Sequence, residues 1–139
     1  MNSQHRLISA AFLCLVAATA GASAQSLKSL RQQEADNAAL EREAAYTSSV
    51  CGAPISARID WSSASSWPES DSLAAACDGA LGALETICRS DRARAGKVSS
   101  FVCAGDGNGP SVSGGTFRYG ASPGGDGYSS SLSYLEGAL

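Results

Sequence analysis

Histidine is almost missing from this 139-residue chain: there is one, His5. Positive charge is also scarce, with Lys+Arg 10 against Asp+Glu 13. A protein that neutralises phosphates needs a basic face, so this balance argues against nucleic acid as a partner. No C-x-x-C pair occurs, and neither does a G-x-x-x-x-G-K-[ST] loop. Close-paired zinc ligands and a phosphate-cradling nucleotide loop are therefore both absent. The apolar run at residues 7–20 covers 14 residues, short of the ~20 that a membrane-spanning helix needs.

That run reads as the centre of a secretory signal peptide over residues 1–24. His5 and Arg6 supply a weakly positive start, and Ala22-Ser23-Ala24 supplies the small residues that a signal peptidase accepts. Cleavage after Ala24 leaves Gln25 first and places the product in the periplasm or outside the cell. It also removes His5. A mature chain without imidazole has no Ser-His or Cys-His nucleophile pair and no histidine metal ligand.

Four cysteines remain: Cys51, Cys77, Cys88 and Cys103. An even count in a small exported chain predicts two disulfides. Residues 71–90 carry Leu73, Cys77, Leu81, Leu84 and Cys88 at helical spacing, with Asp71, Asp78 and Glu85 on the other side. Ser70 or Asp71 is the expected cap. Cys77 and Cys88 then lie ~16 Å apart along one axis, beyond the ~7 Å that a disulfide spans. The pairing expected is Cys51 with Cys88 and Cys77 with Cys103.

Residues 25–47 are rich in Gln, Glu and Ala and hold neither Gly nor Pro, which predicts a helical leader or spacer. Its apolar stripe is thin beyond Leu27 and Leu30, and self-association through 25–47 is one use for it. Residues 48–139 are the expected folded domain. Ile55, Ala57, Ile59 and Trp61 alternate with polar residues and predict a strand with one buried face. The expectation is an α+β fold, a small α/β domain of order α-β-α-β-β-α. Its elements cover helix 27–46, strand 54–61, helix 71–90, strand 97–103, strand 113–119 and helix 128–137. The first two strands are expected parallel, and the third antiparallel as the partner of 97–103 in a hairpin.

Sites with chemistry are few. Asp106-Gly107-Asn108 reads as a hairpin turn rather than a calcium loop, because the later ligands are missing. Arg89, Arg92, Arg94 and Lys97 form a basic cluster after the second helix, suited to that helix's negative end or to an anionic partner. Trp67, before Pro68, is a candidate interface anchor. Asp60 beside Trp61 and Glu69 beside Trp67 are the one catalytic option, a two-carboxylate glycan-active enzyme. The reading preferred is a non-catalytic binding or structural protein of the cell envelope or extracellular space. It holds a protein or glycan partner through Trp67, the basic cluster or the leader, and no cofactor or metal is expected.

Overall fold

The computed structural model describes residues 20–139, with side chains described from Leu27 onward. The signal segment expected over 1–24, His5 included, lies outside the described residues but for the backbone of its last five positions. Four helices and four strands follow: α1 (Ala20–Cys51), β1 (Ser56–Asp60), α2 (Leu73–Ser90), the short α3 (Arg92–Ala95), β2 (Ser100–Ala104), β3 (Gly109–Ser113), β4 (Thr116–Gly120) and α4 (Tyr128–Ala138). A single 3-10 turn, Trp61–Ala64, follows β1. The chain is a mixed α+β fold held by two disulfides.

Helix α2 is the centre of the core. Its stripe Leu73, Cys77, Leu81, Leu84 and Cys88 is wholly buried, as the 3.6-residue period requires. The helix starts at Leu73, two residues later than expected, and its N-cap is neither Ser70 nor Asp71 but Ser72, whose hydroxyl accepts from the Ala75 N–H. Gly79 lies inside α2 because α4 enters there. A Cβ at Gly79 would fall on the Asp126 carbonyl oxygen.

Helix α1 packs along α2 through Asp36, Leu40, Ala44, Thr47 and Cys51, spaced by four, four, three and four. Two of these buried positions are polar, so hydropathy hides the stripe. Each polar member has a partner on the α2 segment: Asp36 meets Ser72 and Leu73, and the Thr47 hydroxyl donates to Glu85 at 2.8 Å. The helix expected to end at 46 therefore continues to Cys51, where it is tied to α2.

The disulfides are Cys51–Cys88 and Cys77–Cys103, with Cα separations of 4.9 and 5.9 Å. They anchor the two ends of α2, one to α1 and the other to β2.

The sheet has the order β1-β2-β4-β3. β1 and β2 are parallel, as expected for strands joined through α2. The expected hairpin of 97–103 with 113–119 does not form. β4 pairs parallel with β2, and its antiparallel partner is β3, a separate strand absent from the expected order. The cause is the Gly114-Gly115 corner, with φ of 56° and 81°. Positive φ at both central residues makes the tight two-residue hairpin whose twist matches the strands. That corner fixes β3 to β4 and pushes β3 to the outer edge.

Ala57, Ile59, Phe101, Cys103, Phe117 and Tyr119 face the helices and belong to the core. The opposite face carries Ser56, Arg58, Ser100, Thr116, Arg118 and Ser111, none of them buried. Among the described residues no helix is long and apolar enough to cross a membrane.

Candidate functional site

The first half of α1 runs past the loop that joins β1 to α2. Between them lies a groove of about 280 Å³, lined by Lys28, Gln32, Asp36, Trp61, Trp67 and Glu69 among others. Both tryptophans of the chain line it. Each indole is half-buried and held by its N–H. Trp61 Nε1 donates to Asn37 Oδ1 at 3.2 Å, and Trp67 Nε1 donates to the Asp71 carbonyl at 3.0 Å. These bonds fix the ring planes.

Trp61 was expected on the buried face of β1. It instead opens the 3-10 turn, because Asp60 leaves the extended conformation with φ −87° and ψ 86°. The Ser63 hydroxyl then donates to the Asp60 carbonyl at 2.6 Å. The Gly105 N–H donates to the same Ser63 hydroxyl at 3.0 Å, which moors the turn to the end of β2.

The two carboxylates named for catalysis have different surroundings. Glu69 lines the groove, exposed. Asp60 is not among the groove residues. It accepts from the Ser62 hydroxyl at 2.6 Å, and its other oxygen stands 3.9 Å from Arg118. The Ser62 hydrogen bond, with help from the Ser63 N–H and the nearby Arg118 and Arg58, holds the Asp60 carboxyl below the usual carboxylate range. A carboxyl held ionised is a weak proton donor.

Asp106 also belongs to Arg118, which reaches its two oxygens at 3.4 and 2.5 Å. The Asn108 N–H donates to the same carboxylate at 3.1 Å and closes a local bend, but not the hairpin turn expected there, since the flanking β2 and β3 do not pair. Among the described residues no group of three or more His, Cys, Asp or Glu side chains is placed to hold a metal ion.

The basic cluster is divided. Arg94 Nη2 donates to the Glu136 carbonyl at 2.6 Å, and Lys97 Nζ to the main-chain oxygen of Leu139 at 2.8 Å. Both serve the negative end of α4, not of α2. Arg89 faces Glu85 at 3.6 Å, one turn back on α2. Arg92 lies beside Gly52 and is exposed.

The α1 wall of the groove, Lys28, Gln32 and Asp36, was not singled out from sequence. Its signal was Asp36 standing in register with Leu40, Ala44 and Thr47. The groove as a whole offers flat aromatic faces, side-chain amides and acids, groups that can hold a polar ligand. No protein-family model, curated protein or solved structure matches this chain.

Proposed function

We propose that this chain is an exported, non-catalytic binding protein of the cell envelope or extracellular space, and that its ligand is a glycan held in the groove between α1 and the 61–71 loop. The observation that carries the reading is the pair of N–H-tethered indoles lining one groove with Gln32 and Glu69. Sugar C–H faces stack on indoles, and amides and carboxylates take the hydroxyls. Export after cleavage at Ala24 fits the two disulfides, which persist in oxidising compartments.

The test is tryptophan fluorescence of the mature chain titrated with soluble envelope-glycan fragments. A saturable change is expected, weakened at least tenfold by Trp67→Ala and by Gln32→Ala with the circular dichroism unchanged. Removal of residues 25–47 is unsuitable, since it would strip Leu40, Ala44 and Thr47 from the core. Absence of saturable binding, with affinity capture from the envelope yielding only proteins, would replace the glycan by a protein ligand.

A further inference from the structure

The two edges of the sheet are finished differently. On β3 the main-chain groups at 110 and 112 point away from β4. Pro110 has no N–H, and the Val112 N–H donates to Tyr134 Oη at 2.9 Å. That edge offers no donor to another strand.

On β1 the Ser56 N–H donates to the Ser99 carbonyl at 3.2 Å. In a parallel ladder this turns the groups of Ser56, Arg58 and Asp60 toward β2, and those of Ile55, Ala57 and Ile59 outward. Ser48 closes the first outward position. The Ile55 N–H donates to Ser48 Oγ at 2.9 Å, and the Ser48 hydroxyl reaches the Ile55 carbonyl at 3.3 Å. The groups of Ala57 and Ile59 meet no protein partner among the described residues. Along this edge a space of about 280 Å³ opens between Ala57 and Ile59 on β1, Trp61 in the turn just beyond it, and Asn37, Leu40 and Glu41 on α1. An edge left with free donors and no proline or bulge is a pairing surface.

We propose that β1 pairs antiparallel with β1 of a second copy of this chain, joining the two sheets into one across a two-fold axis. Charge decides the register. Pairing centred on Arg58 sets Arg58 opposite its own copy, and like charges opposite each other oppose pairing. Pairing centred on Ile59 sets Arg58 opposite Asp60 of the second copy, twice over. The outward groups of the two Ile59 residues then bond each other across the axis. Both charged residues lie on the open face of the sheet. Asp60 Oδ2 has only the 3.9 Å approach of Arg118, which leaves it able to accept.

The experiment is light scattering behind size exclusion, over a range of concentrations, on the disulfide-intact mature chain. The expected mass is that of a dimer. Ala57→Pro breaks no β1–β2 bond and projects a ring carbon outward where the N–H pointed, into the path of the second strand beside the Ile59 pair, so it should give a monomer with unchanged circular dichroism. Arg58→Asp and Asp60→Lys should each weaken the dimer at least tenfold, and their equimolar mixture should restore it. A monomeric wild type, or a dimer that survives Ala57→Pro, overturns the proposal. A mixture that does not recover overturns the Ile59-centred register. A monomer that captures an extended foreign peptide in an Ala57→Pro-sensitive way gives the edge to another protein and overturns the dimer.

Discussion

Asp36 on α1 caps α2: its Oδ2 accepts from the Leu73 N–H at 3.1 Å and its Oδ1 from the Ser72 hydroxyl at 2.6 Å. A carboxylate here satisfies a donor left free at the helix start and meets the positive end of the helix dipole. Asp36 is 3% exposed, so removing it leaves those groups without water. Asp36→Ala should cost about 2–3 kcal/mol in urea unfolding. Ser72→Ala should cost about 1 kcal/mol. The double variant should cost less than the sum, because the two side chains share one bond.

Two glycines of α2 should respond with opposite signs. Gly79→Ala puts a methyl on the Asp126 carbonyl and within 2.9 Å of the Tyr128 main-chain nitrogen, so α4 must shift. A loss of at least about 2 kcal/mol is expected. Gly82→Ala brings its methyl only to 3.6 Å from Tyr128 Cδ2, an ordinary contact. The gain in helix propensity, up to about 1 kcal/mol, should raise the melting temperature.

The acid limb of stability should run through Asp106. Its carboxyl is held below the usual range, first by the Arg118 hydrogen bond and then by the Asn108 N–H. A depressed folded value means stability that is present above roughly pH 4 and is lost as pH falls through that folded value. Asp106→Asn should flatten this limb in melts taken between neutral and acid pH. Glu43 acts oppositely and weakly: partial desolvation of this exposed carboxyl, then Asp78, raise it, so its ionisation withdraws a little stability as pH rises. Glu43→Gln should remove that component.

Each disulfide should contribute about 2–4 kcal/mol. The bridges differ in access. Cys77 and Cys103 are both 0% exposed, whereas Cys51 is at 9%. Limited reduction followed by alkylation and peptide mapping should therefore label Cys51 and Cys88 before Cys77 and Cys103.

Where one physical signal dominated, the sequence was readable. The α2 stripe is apolar throughout, and its rise per residue alone forbids a Cys77–Cys88 bridge. Alternation across 55–61 located β1, though the strand stops at Asp60. Elsewhere signals competed. Asp36 and Thr47 occupy buried positions as polar residues satisfied from α2, so α1 looked like a solvated spacer. Gly114-Gly115 read as loop composition, while its positive φ values build the hairpin that reorders the sheet. The cations after α2 looked placed for α2, but Arg94 and Lys97 reach the last carbonyls of α4, a partner distant in sequence. The groove needed α1 and the 61–71 loop brought together, and no local pattern carries that information.

The two bridges overlap along the chain, in the order Cys51, Cys77, Cys88, Cys103. A single peptide-bond cut between Cys51 and Cys77 leaves the pieces joined by the first bridge. A cut between Cys88 and Cys103 leaves them joined by the second, and one between Cys77 and Cys88 is spanned by both. A protease that nicks the exposed 61–71 loop would therefore not release a fragment. Nicked molecules should run as intact chains on a gel without reductant and separate only once thiol is added.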